Sequence, residues 1–263
     1  MGAKALPTIV ADHSTEAIIV NMPTTAPPDV VKSLAPTGTL RAAINIANPV
    51  LVQRNPVTGA PCGVTVDLAR ELERRLGVRL EQVLIDSAGK SFEAVKSRGC
   101  DFGFLAIEPA RAAEIDFTGA YVIIEGVYAV RADSALKANE DVDRDGVRIA
   151  VNKGAAYDLF LTRSLKYATL VRVDNAFDAF MREGLEAVAG VKQAVLRFAE
   201  TSPVARVLPG RFMEIAQAMC LPKGREAGVA YLRAFVEEMK ANGFVAAALK
   251  RAGQEDVTVA GAA

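Results

Sequence analysis

Histidine is almost missing from this chain: His13 is the only one in 263 residues. Metal hydrolases and Ser-His or Cys-His nucleophile systems all need an imidazole beside the reacting group, so one early histidine removes most of them. Cysteine is nearly as scarce. Cys62, Cys100 and Cys220 are too widely spaced for a disulfide framework or a zinc site and are expected to be buried free thiols. No metal or cofactor is expected. Charge of one sign is also lacking, with 31 Lys+Arg against 31 Asp+Glu, which leaves no electrostatic footprint for nucleic acid or acidic membranes. Long apolar runs are absent too: stretches such as Tyr121-Val-Ile-Ile124 have strand length, against the ~18 to 20 residues of a membrane span. No direct membrane insertion is expected. The start, Met1 to His13, reaches polar and acidic residues too early for the apolar core of a signal peptide. The expectation is either that a natural signal has been removed or that the protein stays in the cytoplasm.

What is present is a globular composition, 51% hydrophobic, in a length that suits one large domain or two lobes. Residues 1–37 hold Pro7, Pro23, Pro27, Pro28 and Pro36 and read as a loosely ordered extension with one short strand near Ala17 to Val20. Beyond Gly38, short β-rich segments alternate with helical periodicities, the pattern of α/β units with mostly parallel strands. A strand at Leu40–Asn45 leads into an irregular loop, Asn48–Gly63. A helix from Thr65 to Leu76 carries Val66, Leu68, Leu72 and Leu76 on one face and stops at Gly77. Strand Arg79–Ile85, helix Ser91–Ser97 and strand Asp101–Ala106 complete a first series. After the β-rich stretch Tyr121–Arg131 a second series follows: strand Arg148–Val151, helix Ala156–Lys166, strand Thr169–Val173, helix Ala176–Arg182, strand Leu185–Ala189 and a helix from Val191. Strand-like segments Arg206–Leu208 and Met213–Cys220 precede a long amphipathic helix, Arg225–Asn242.

Ligands of open α/β sheets bind beyond the carboxyl ends of the strands, where helix N-termini present unpaired N–H groups. Three turns qualify. In Phe104-Leu-Ala-Ile-Glu-Pro-Ala-Arg111 the strand runs out at Ala106 and Pro109 opens a helix. Arg111 in that first turn opposes the helix dipole and needs an anion, either a ligand carboxylate or Glu108 or Glu114. In Val151-Asn-Lys-Gly-Ala-Ala-Tyr157, small residues let backbone N–H groups approach a ligand, or serve packing alone. The third turn, Ala189-Gly-Val-Lys192, places Lys192 near a helix start, where it is equally readable as a solvated surface lysine.

These segments, in this order, are similar to the family 3 extracellular solute-binding proteins, the polar amino-acid receptors of ABC importers. The resemblance rests on Gly38-Thr-Leu-Arg41, Gly63-Val-Thr-Val-Asp-Leu-Ala-Arg-Glu-Leu-Glu-Arg-Arg-Leu-Gly77, Pro109-Ala-Arg-Ala-Ala-Glu-Ile-Asp-Phe-Thr-Gly-Ala-Tyr121 and Arg148-Ile-Ala-Val-Asn-Lys-Gly154. It covers residues 38 to 250. It implies a two-lobed α/β fold of the type II periplasmic-binding-protein kind with ligand in the cleft, and two crossing segments near 122–127 and 213–218. The lobes would be 38–123 plus 217–253, and 124–216. It also implies a periplasmic location, ABC transporter membrane subunits as partners, no catalysis, and Arg111 as the clamp on a substrate carboxylate. Arg111, Asn48, Phe104, Ala106 and Glu108 would form one wall, and Asn152, Ala155, Ala156, Tyr157 and Lys192 the other.

The departures from the family pattern bear on the ligand. Phe104, Ala106 and Glu108 stand where hydroxyl or glycine residues are usual, and Lys192 lies where an acid normally holds the substrate ammonium. An ammonium is not held against a lysine, so the expected ligand is a carboxylic acid without an α-amino group, or one whose amine is read by Glu108 or Glu125. The competing readings are an enzyme on the same fold, similar to cyclohexadienyl dehydratases with Glu108 or Glu125 as general acid near Lys192, and a cytosolic sensor.

Overall fold

The computed structural model describes residues 25–263. The short strand expected near Ala17 lies outside them. The elements run α1 (Pro28–Leu34), β1 (Thr39–Asn45), β2 (Gln53–Arg54), β3 (Pro61–Cys62), α2 (Val64–Leu76), β4 (Arg79–Ile85), α3 (Ala88–Lys96), β5 (Phe102–Ala106), α4 (Pro109–Ala112) and β6 (Ile115–Arg131). They continue through β7 (Arg148–Asn152), α5 (Ala156–Ser164), β8 (Thr169–Val173), α6 (Ala176–Arg182), β9 (Ala187–Val191), α7 (Lys192–Thr201) and β10 (Ala205–Val207). The last are β11 (Met213–Pro222), α8 (Glu226–Ala241), α9 (Phe244–Arg251) and β12 (Thr258–Val259).

One sheet spans both halves in the order β4-β1-β5-β11-β6-β9-β7-β8, with β10 and β12 added on β6, while β2 and β3 pair apart from it. The groups β4-β1-β5 and β9-β7-β8 are parallel within themselves, as βαβ connection requires. Between them lie β6 and β11, antiparallel from Met213 opposite Gly126 to Pro222 opposite Ile115. Residues 122–127 and 213–218, expected to cross between lobes, lie within these two strands. Their register shifts on either side of Ala218, and the gap is filled by a side chain: the Thr118 hydroxyl accepts from Met219 N–H at 3.1 Å and donates to the Gly119 carbonyl at 2.7 Å. A bulge patched this way interrupts the ladder without leaving buried amides unpaired.

The first lobe is fastened by charge as well as by its apolar core. Asp101, fully buried at the start of β5, accepts from Arg41 Nε at 2.9 Å and from Arg225 Nη2 at 3.1 Å, so one carboxylate ties β1, β5 and the entry to α8. Helix α2 shows why a glycine precedes it. Gly63 has φ +112°, and a Cβ there would lie 2.6 Å from the Leu51 carbonyl oxygen. Gly63→Ala is expected to cost roughly 2–3 kcal/mol through backbone strain and that clash, read as a lower denaturation midpoint. An unchanged midpoint would contradict it.

Part of the extension read as loosely ordered is a helix. Pro28 sits in the first turn of α1, and Val30 and Leu34 are buried. The Ser33 hydroxyl accepts from Gly228 N–H at 3.1 Å, docking α1 on α8. The irregular loop after β1 contains the hairpin β2–β3, and α3 begins three residues before the expected Ser91, capped by the Ser87 hydroxyl. The cysteine expectation holds in part. All three are free, but only Cys100 and Cys220 are buried, where burial pushes their thiols up to about 11 and about 12.

Candidate ligand-binding cleft

The carboxyl ends of β1 and β5 face those of β7 and β9 across the two crossing strands. At the end of β5, Ala106 gives way to Glu108 and then Pro109, whose fixed φ opens the single turn α4. That turn carries Arg111 inward until it is only 2% exposed. Its Nη1 donates to the Ala106 carbonyl at 3.1 Å, and its Nη2 crosses to the opposite lobe to donate to the Gly154 carbonyl at 2.8 Å. No carboxylate among the described residues forms a salt bridge with it. Burial pulls its pKa down, and the negative charge of Glu108 opposes that shift. A desolvated guanidinium resting on two neutral carbonyls is an unfilled demand for an anion.

The facing turn is built with equal care. The Asp158 carboxylate accepts from Gly154 N–H at 2.9 Å and from Arg172 Nε at 2.8 Å, which holds the turn Asn152 to Ala155 in shape. Gly154 adopts φ +73° and approaches Gly89 on α3, so two residues without side chains let the walls touch. Ala155 precedes α5, and the unpaired first-turn N–H groups of that helix arrive at the same place. Asn152 is committed elsewhere: its Oδ1 accepts from Ala176 N–H at 2.8 Å and fixes the start of α6. Tyr157 is buried, which pushes its hydroxyl up.

On the first wall, Asn48 and Phe104 line a space of about 10 Å³ together with Asn45, Leu51, Thr65 and Gln217, room for about one water. Phe104 also packs edge-on against Phe102 and Tyr121, so it is a core residue as much as a wall. Glu108 is 3% exposed, and Arg163 Nη1 from α5 stands 2.7 Å from its Oε2. That contact is an ion pair without hydrogen-bond alignment, because Oε2 receives no hydrogen bond.

Lys192 does not line the space beside Asn48 and Phe104. It donates to Glu125 Oε2 at 2.6 Å, while Arg211 Nη1 donates to Oε1 at 2.9 Å. The hydrogen bond from Lys192 is the main reason the Glu125 carboxyl sits below its usual range. These three rim a separate open groove of about 370 Å³ floored by Val127, Leu196, Val207 and Leu208. The structure thus brings together Arg111, Ala106 and Glu108 with the Gly154–Ala156 turn, and keeps Lys192 apart with Glu125.

Sequence reading missed Asn45, Thr65, Gln217, Arg163 and Asp158. Asp158 had a signal, an acid at the third position of a helix that opens on a small-residue turn. Arg163 had none, since its partner lies 55 residues away on another element.

The family model of the bacterial extracellular solute-binding proteins, family 3, matches residues 40–255. The chain belongs to this family. Its fold is the type II periplasmic-binding-protein fold, with the cleft between two lobes. Among solved structures, a cysteine-binding protein from Campylobacter jejuni aligns with TM-score 0.74 at 18% identity, over 88% of this chain and 99% of its own. An amino acid ABC transporter substrate-binding protein, AbpA from Streptococcus pneumoniae, bound to L-arginine, aligns with TM-score 0.71 at 17% identity, over 85% and 98%. The ancestral amino acid-binding protein AncCDT-1, a precursor of cyclohexadienyl dehydratase, aligns with TM-score 0.69 at 20% identity, over 84% and 98%. At such identities the family 3 likeness carries the fold and not the ligand. No curated protein matches the chain. None of the described helices is long and apolar enough to cross a membrane.

Proposed function

We propose that this family 3 protein is a periplasmic receptor that closes around a small organic carboxylate lacking an α-ammonium group and presents it to the membrane subunits of an ABC importer, without catalysis. The observation that carries the reading is Arg111: buried, charged, and without an acidic partner among the described residues. In the bound form the ligand carboxylate takes the place at the guanidinium that the Gly154 carbonyl occupies here, with α5 N–H groups adding donors.

The missing ammonium follows from the acids. Glu108 is matched by Arg163, and Glu125 by both Lys192 and Arg211, so each carboxylate able to read an amine already faces a cation. The same pairings weigh against the lyase reading, because neither Glu108 nor Glu125 is an unengaged general acid. Arg111 Nη2 on the Gly154 carbonyl, the Gly89–Gly154 approach and the Glu108–Arg163 pair all bridge the two walls, so a solute reaching the Arg111 guanidinium requires the lobes to part. We place the lobes at 38–123 with 217–253 and at 124–216, and the hinge where β6 and β11 cross between them, near residues 122–127 and 213–218.

A thermal-shift screen against monocarboxylates, dicarboxylates and α-amino acids tests this reading. The largest stabilisation is expected from an acid without an α-amino group. Tight stabilisation by an α-amino acid such as L-cysteine or L-arginine would overturn the ligand class.

A further inference from the structure

Glu108 is an unusual group to bury. Its side chain is 4% exposed, its Oε2 receives no hydrogen bond, and it sits three residues before Arg111, whose own charge is already desolvated. A carboxylate in that condition raises the free energy of any arrangement that encloses it unless a cation accompanies it. Among the described residues, the cation that comes within ion-pair distance is Arg163, 2.7 Å away. Glu108 stands at the entry to α4 on one wall, and Arg163 belongs to α5 on the other. Arg163 is also anchored at its own end, with Nη1 donating to the Leu159 carbonyl at 2.9 Å, so the side chain is held where Glu108 arrives. Its side chain remains 44% exposed, so it can stay hydrated when the walls are apart, whereas Glu108 depends on the meeting.

We infer that Arg163 is a positioning residue of the binding cleft: it meets Glu108 only when the two lobes come together, and that meeting decides whether they stay together and whether Arg111 is left to the ligand. Without Arg163, closure would bury Glu108 beside Arg111. Arg111 donates to the Ala106 and Gly154 carbonyls and not to Glu108, so closure would enclose a carboxylate with no ion-paired cation, which disfavours it, and the unbalanced negative charge would oppose an incoming carboxylate at the guanidinium. With Arg163 in place, the negative charge is balanced from the opposite wall. Closure and anion recognition are thereby linked through one ion pair. This inference rests on the reading that the lobes separate.

Small-angle scattering of the full chain tests it through the radius of gyration. Gly89→Trp is the control, because a large side chain at that point of backbone contact wedges the lobes apart. Arg163→Gln is expected to expand the protein to the radius of the wedge variant. Glu108→Gln combined with Arg163→Gln is expected to restore the parent radius, since no charge is then buried. A role for Arg163 in packing alone predicts expansion in both. If the wedge expands the protein and Arg163→Gln does not, or if the double variant stays expanded, the inference is wrong. If the wedge itself leaves the radius unchanged, the lobes do not separate and the reading beneath it fails as well. Circular dichroism melts confirm that each variant is folded before scattering is compared.

Discussion

Arg111→Ala should remove measurable binding of the solute while leaving the protein folded. The guanidinium is the only group of the cleft that is both buried and lacking an acid among the described residues, so a ligand carboxylate supplies its missing partner. Truncating one member of a buried, hydrogen-bonded charge pair costs about 2–5 kcal/mol, or on the order of thirty- to several-thousand-fold in affinity. Stability should move little in the absence of solute, because the variant also loses a desolvated charge, and that gain offsets the hydrogen bonds to Ala106 and Gly154. Arg111→Lys is not expected to rescue, since a single ammonium cannot reproduce two divergent donors. Calorimetric titration checks this. An affinity within threefold of the parent would remove Arg111 from the site.

Asp101→Asn should do the reverse, lowering stability while leaving the chemistry of the cleft intact. The carboxylate is fully buried and receives Arg41 and Arg225 from different elements. Replacing it by an amide strands two guanidinium groups, of which Arg225 is itself 8% exposed. Removing one partner of a buried ion pair costs about 3–5 kcal/mol, which for a chain of this size lowers Tm by roughly 10 °C. A loss below about 1 kcal/mol would show that the cluster is solvated in solution and that the first lobe is held by its apolar core alone.

Much of the fold was legible because it is written in local periodicity. Strands Arg79–Ile85 and Thr169–Val173 and helix Ala176–Arg182 lie where alternation and helical spacing put them, since each buries one face against the sheet. Elements set by distant partners were not legible. α1 looks like a proline-rich leader until Val30 and Leu34 find α8, and β6 reads as a stretch starting at Tyr121 until β11 pairs with it back to Ile115. The site divides the same way. Arg111 could be found from its chain neighbours, because strand end, proline and first-turn cation are consecutive. Lys192 was singled out by the same kind of strand-to-helix turn and then by likeness to family 3, but its ion pair with Glu125 puts it on a different groove. Arg163 gains meaning only opposite Glu108, and Gln217 only beside Asn45, Asn48 and Phe104, relations that no stretch of sequence records.

Whether the protein holds its solute or consumes it separates a receptor from an enzyme. The acid giving the largest thermal shift should be titrated calorimetrically at protein concentrations near its Kd, and the recovered compound then weighed by mass spectrometry after prolonged incubation. We predict one molecule bound per chain and recovery of the acid unchanged. Steady loss of the compound with appearance of a product lighter by water or carbon dioxide would contradict the receptor reading and make the cleft an active site.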